Sequence, residues 1–155
     1  MIKIQRILCP TDLSGASLSA FPHAVEIARL FHAQVFVIYV VPTLPPAAGD
    51  ISFYPSKAVL EYMADFRAEA DKRVDQLLRE QIPGEVKASK VLREGDAASE
   101  ILRAVDDLQI DLVTMATHGR TGWQHLVIGS VAEKVIRMSK VPVLTVKGPA
   151  GEGNP

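Results

Sequence analysis

The chain has 155 residues, 48% of them hydrophobic and 23% charged, an ordinary composition for one globular domain of roughly 150 residues. Its 17 basic and 18 acidic residues leave a formal net charge of −1, which argues against nucleic acid, whose binding rests on several phosphate-neutralising cations. One cysteine excludes an internal disulfide or a CxxC knuckle, and no apolar run approaches the roughly 18 residues of a membrane span or forms a signal stretch within Met1–Arg6, so the expectation is a soluble cytoplasmic protein.

Apolar runs then alternate with stretches of helical period. Ile4–Cys9, closed by Pro10, suits a strand. From Ser14 the apolar positions Leu18, Phe21, Val25 and Ala28 predict a helix. Val35–Val41 is β-branched and aromatic throughout, as in a strand covered on both faces. Residues 42–55 carry Pro42, Pro45, Pro46 and Pro55, which exclude regular structure. A helix from about Ser56 to Glu80 carries the apolar stripe Val59, Met63, Phe66, Ala70, Val74 and Leu77. Its other face is a solvated mixture of charges, with the i,i+4 pairs Glu69/Arg73 and Asp75/Arg79. Pro83-Gly84 turns the chain into a strand at Val86–Leu92. Gly95-Asp96 leads into a helix with Ile101, Leu102 and Val105. Asp111–Ala116 is a strand, and a glycine-rich loop runs from it to a helix at Ser130 with Val131, Val135 and Ile136. Val143–Val146 is the last strand, and Lys147–Pro155, rich in glycine and proline, reads as a frayed tail.

The alternation predicts an α/β fold: one doubly wound, Rossmann-like domain over residues 1–147, followed by a flexible tail at 148–155. Its five-stranded parallel sheet carries helices on both faces. In such sheets ligands sit beyond the carboxyl ends of the strands, where the strand order reverses. With the first strand central, that edge collects Pro10-Thr11-Asp12, Val40-Val41 and the loop after Ala116. The loop holds Gly119, Gly122 and Gly129, and a helix begins at Gly129-Ser130. Glycines allow close backbone approach, and a helix N-terminus offers unpaired N–H groups with a partial positive charge, so phosphate is the chemistry this pattern suits. Three or four such N–H bonds, each contributing roughly 1.5–3 kcal/mol, suffice for about micromolar binding. Turn-making by the glycines and helix capping by Ser130 are the competing explanation of the same residues.

Met115-Ala116-Thr117-His118-Gly119-Arg120-Thr121-Gly122, then Gly-Ser-Val-Ala-Glu-Lys-Val at 129–135 and Val-Pro-Val-Leu-Thr-Val at 141–146, closely resemble the universal stress protein family. So does Ile-Leu-Cys-Pro-Thr-Asp-Leu-Ser-Gly-Ala-Ser at 7–17. The resemblance covers residues 3–147. Members of this family that bind ATP carry Gly-x2-Gly-x9-Gly-Ser/Thr, where this chain has Ala116-x2-Gly119-x9-Gly129-Ser130. The resemblance implies that Gly119, Gly129, Ser130, Val131 and Ala132 hold the triphosphate. It also implies that Pro10, Thr11, Asp12, Val40 and Met115 frame adenine and ribose, with Arg120 a further phosphate partner or a solvent-facing residue. Alanine in place of the first motif glycine is expected to press a methyl toward the ligand, with binding weakened or retained but not abolished. The resemblance further implies a homodimer through the Val143–Val146 strand.

Other residues are less specific. Asp12 suits a ribose or adenine acceptor, a Mg²⁺ ligand or a cap for the Ser14 helix. Cys9 reads as a buried, inert thiol, and His23, His32, His118 and His125 have no metal spacing. Trp123 is either a packing lid or a partner contact. There is no GxxxxGK[ST], and no GxGxxG follows the first strand, which sets aside a P-loop NTPase and a dinucleotide enzyme. No evident general base stands near the loop, Glu133 lying a turn inside its helix. The leading function is an ATP-binding, nucleotide-dependent regulator of the stress response, with segment 42–55 as a lid and unidentified protein partners. Two alternatives remain: a dimeric interaction module with a vestigial pocket, and a slow ATPase or a nucleotidyl or phosphoryl transferase.

Overall fold

The computed structural model describes residues 3–43, 55–117 and 128–147. The elements run β1 (Arg6–Pro10), α1 (Gly15–Leu18), α2 (Phe21–Phe31), β2 (Gln34–Val41), α3 (Lys57–Gln81), β3 (Ala88–Glu94), α4 (Ala97–Asp107), β4 (Leu112–Ala116), α5 (Ser130–Met138) and β5 (Val143–Val146). All strand pairs are parallel and the order is β3-β2-β1-β4-β5. This is the doubly wound α/β sheet that the alternating pattern predicts, with β1 at its centre.

Side chains of successive strand residues point to opposite faces, and the core divides accordingly. Ile7 and Cys9 of β1, with Val35, Val37 and Tyr39 of β2, pack against Phe21, Ala24, Val25 and Ala28 of α2 and Ala70, Val74 and Leu77 of α3. Leu8, Ile38, Val113 and Met115 pack on the other face against α4 (Ala98, Ile101, Ala104, Val105) and α5 (Ala132, Val135). The larger of these side chains, valine, leucine, isoleucine, phenylalanine and methionine, contribute roughly 1.5–3 kcal/mol each on full burial. Asp111 ties the bottom of the sheet, its Oδ2 accepting from the Gln5 and Arg6 amides at 2.8 and 2.9 Å. Cys9 is buried, and burial pushes its thiol up to about 12, so it stays protonated and inert.

Several local expectations are corrected. The helix read as continuous from Ser14 is two, α1 and α2, separated at Ser19-Ala20. Pro22 lacks an N–H and its ring would meet the Leu18 carbonyl, so it sits in the first turn of a new helix instead. The strand read at Val86–Leu92 is Ala88–Glu94, because the Val86 amide donates to Pro83 O in a turn at 2.9 Å. β1 ends on Pro10, paired with Ile38, rather than on Cys9. In α3 only the second half of the predicted stripe is buried: Ala70, Val74 and Leu77 are, whereas Phe66 is 38% exposed. Lys90 of β3 bridges Asp71 and Asp75, each at 2.8 Å, and Arg67 pairs with Glu94 at the strand's last residue. These pairs align the helix from Arg67 onward with β3, so the turns before Arg67 extend past the sheet edge with no described strand beneath them. Asp75 thereby meets Lys90 rather than the Arg79 of the predicted i,i+4 pair. The tail at 148–155 and residues 44–54 of the expected lid lie outside the described residues.

Thr114, at the centre of β4, is fully buried and its Oγ1 has no hydrogen-bond partner among the described residues. An orphaned buried hydroxyl costs about 1–3 kcal/mol. Thr114→Val keeps the shape and removes the orphan, so urea unfolding is expected to show a midpoint shift equivalent to about 1 kcal/mol of added stability.

Candidate functional site

A cavity of about 610 Å³ opens over the carboxyl ends of β1, β2 and β4, within the usual size range of small-molecule sites. It lies where the strand order reverses, since the chain leaves β1 toward β2 and β3 and returns on the other side to β4 and β5. Ten of the residues singled out from sequence line it: Pro10, Thr11, Asp12, Val40, Met115, Ala116, Gly129, Ser130, Val131 and Ala132. Gly119 and Arg120, like His118, Gly122, Trp123 and His125, lie outside the described residues. Ser17, Ile38, Tyr39, Pro42, Gly95, Asp96, Ala97, Ile101 and Thr117 complete the lining.

The turn after β1 is built by hydrogen bonds that fix Thr11 and Asp12. The Thr11 and Ser17 hydroxyls are 2.9 Å apart, and Thr11 Oγ1 also accepts from the Leu13 amide at 3.0 Å. Asp12 Oδ1 accepts from the Ser14 amide at 2.9 Å and the Ser14 hydroxyl at 2.5 Å. Ser14, not Asp12, caps α1, accepting from the Ser17 amide at 3.2 Å. Leu13 is held at φ 64, a left-handed conformation that costs a non-glycine residue roughly 1–2 kcal/mol. Such strain persists where its surroundings over-determine it, here the hydroxyls and carboxylate of Thr11, Asp12 and Ser17.

The opposite wall is made by the N-termini of α4 and α5, and the two differ. α4 is capped by Asp96, whose carboxylate accepts from the Ser99 amide at 3.0 Å. α5 begins after Gly129 with no side-chain cap among the described residues. The first amides of a helix have no intrahelical acceptor, so α5 presents its opening turn, Ser130 to Ala132, directly at the cavity. Gly129 is at φ −60, which any residue adopts; the role of glycine there is space. A Cβ would sit 3.2 Å from the Thr117 carbonyl, the same carbonyl that accepts from the Gly129 amide at 2.8 Å. Gly95 does need its freedom, with φ +139 and Glu100 Cγ 3.2 Å from where a Cβ would be. Ala116 belongs to β4, pairs with Val146 and has no left-handed φ, so alanine brings no backbone strain there and simply adds a methyl to the lining. Glu133 turns away toward Arg137 at 3.6 Å, leaving Asp12 and Asp96 as the carboxylates among the described lining residues.

Residues 3–147 match the Universal stress protein family. The chain belongs to that family. It is 38% identical over 152 residues to a universal stress protein of Methanocaldococcus jannaschii, covering 96% of this chain and 85% of the relative. Another protein of that archaeon, 26% identical to this chain, has a solved structure that superposes with a TM-score of 0.77, covering 96% of this chain and 99% of that one. Two solved universal stress proteins are described as complexes, one with cAMP and the other, from Archaeoglobus fulgidus, with dAMP. They are 22% and 19% identical, with TM-scores of 0.59 and 0.57, and each is matched over 95% of this chain and 99% and 100% of its own. Among the described residues no helix is long and apolar enough to cross a membrane, and no group of three acidic, histidine or cysteine side chains is placed to hold a metal ion.

Asp96 also carries the pH dependence of this wall. Hydrogen bonds from the Ser99 hydroxyl, the Lys134 ammonium and the Ser99 amide pull its carboxyl from 3.8 down to about 2. The ionised form therefore stabilises the fold fully above the ordinary carboxylate value, and that contribution is lost as pH falls toward 2. Asp96→Asn is expected to flatten the loss of stability between about pH 4 and 2 relative to the parent, checked by urea unfolding across that range.

Proposed function

We propose that this universal stress protein binds an adenine nucleotide, ATP, in the cavity over the strand ends and acts as a nucleotide-dependent regulator of the stress response in the cytoplasm. The observation that carries the reading is the N-terminus of α5, without a side-chain cap among the described residues, opening into a cavity of about 610 Å³ at the switch point. The family complexes with cAMP and dAMP support an adenine nucleotide as the ligand class. On this reading the α5 opening turn, with Gly129 and the Ser130 hydroxyl, meets the phosphates, together with Gly119 and Arg120. Pro10, Thr11, Asp12, Val40 and Met115 frame the base and sugar. The apolar floor of Ile38, Val40 and Met115 suits a flat ring, and the fixed Asp12 carboxylate suits a sugar or base donor. Magnesium would arrive with the phosphates, with Asp12 a candidate ligand. The bound nucleotide selects a conformation or an assembly that protein partners read, rather than serving turnover.

Calorimetric titration is expected to give about micromolar affinity for ATP. Ala116→Gly removes the lining methyl and should tighten binding by up to about tenfold, while Gly129→Val, crowding the Thr117 carbonyl, should weaken it strongly. No heat of binding at millimolar ATP would overturn the reading and favour the same fold acting as an interaction module with a vestigial pocket.

The proposal includes a homodimer through β5. That strand is an edge of the sheet, and Leu144 on it is 37% exposed; an apolar edge strand offers unpaired N–H and C=O groups to a second copy. Light scattering at tens of micromolar protein is expected to give twice the chain mass of 16.8 kDa, and a monomer mass would contradict it.

A further inference from the structure

The described lining of the cavity carries two carboxylates, Asp12 and Asp96, and no cation. On the nucleotide reading such a lining repels the phosphates that the α5 N-terminus attracts, so a cation just outside the described lining adds to what Arg120 of the loop supplies. Lys134 stands there. It follows Ser130 by four residues and so shares its face of α5, one turn deeper. Its Nζ lies 3.0 Å from Asp96 Oδ2 and 3.1 Å from Ser99 Oγ, spanning from α5 to the first turn of α4. The pair is open to solvent, with Lys134 39% and Asp96 63% exposed, so breaking it costs little. The other cations that α4 and α5 contribute to ion pairs lead elsewhere: Arg103 is on Glu100 and Arg137 on Glu133.

We propose that Lys134 is a residue by which the site distinguishes phosphorylated nucleosides from bare ones. In the free protein it rests on Asp96. When a nucleotide fills the cavity, the flexible lysine exchanges that carboxylate for a phosphate oxygen between the two helix N-termini. A charge-assisted bond to a group carrying more negative charge than Asp96 replaces one to a single carboxylate. Asp96 is the competitor that sets how tightly phosphate is held. This assignment rests on the nucleotide reading above.

The test is calorimetric titration of the parent, Lys134→Gln, Lys134→Arg and Asp96→Asn, each with ATP and with adenosine. The parent is expected to prefer ATP to adenosine. Lys134→Gln should weaken ATP about tenfold and leave adenosine unchanged, and Lys134→Arg should restore most of the loss. Asp96→Asn keeps a good helix cap while removing the competing charge, and should tighten ATP alone. An unchanged ATP-to-adenosine ratio in Lys134→Gln, or an equal loss for both ligands, overturns the assignment while leaving the nucleotide reading intact. A parent that binds neither ligand overturns the nucleotide reading itself, and the role of Lys134 with it.

Discussion

The position of β1 at the centre of a parallel sheet is the constraint on which the rest depends. Parallel strands need crossover helices, and those crossovers run right-handed. A chain that starts in the middle and builds outward first to β2 and β3, then to β4 and β5, must put α2 and α3 on one face and α4 and α5 on the other. The two buried clusters show that division. At the reversal the chain leaves β1 and β4 toward opposite faces of the sheet, and the cavity opens between these two exits.

Its walls follow from the same geometry. Every β-to-α turn of a parallel sheet falls on one edge, so the turns after β1, β3 and β4 converge there with the N-termini of α4 and α5. The floor is apolar because the last residues of buried strands are apolar, and the rim is polar because it consists of helix starts and turns. The contrast between the two helix starts gives the site direction. α4 answers its own amides with Asp96, whereas α5 leaves its opening turn to whatever enters. Asp96 and the positive end of the α5 dipole thus share one wall, bridged by Lys134.

Much of this was legible in the sequence, for particular reasons. The β-branched run Val35–Val41 and the short strand Asp111–Ala116 sit between segments of helical period, and that alternation specifies the architecture. Pro10-Thr11-Asp12 and Gly129-Ser130 stand at a strand end and a helix start, where the sheet logic places a ligand, and both line the cavity. The break at Ser19-Ala20 was missed because apolar spacing continues through it; Pro22 was the available signal. The shift of β3 by two residues depended on a turn bond to the Pro83 carbonyl, which leaves no mark in hydrophobic patterning. Gly95-Asp96 reads from the pattern as a helix lead-in alone, although the rule that assigns Pro10 to the binding edge applies equally to the turn after β3. Ser17 and Lys134 could not be read, since each reaches the site through a tertiary contact. The apolar stripe of α3 overran its burial because periodicity reports a helix face and not where the sheet beneath it ends.

The central claim is that the opening turn of α5 is an anion site. Amide chemical shifts during titration of isotopically labelled protein with ATP test it directly. The account predicts that Ser130, Val131 and Ala132 shift together with Asp12 and Val40 along one saturating curve. Unperturbed α5 amides at millimolar ATP, or shifts confined to another surface, would contradict it.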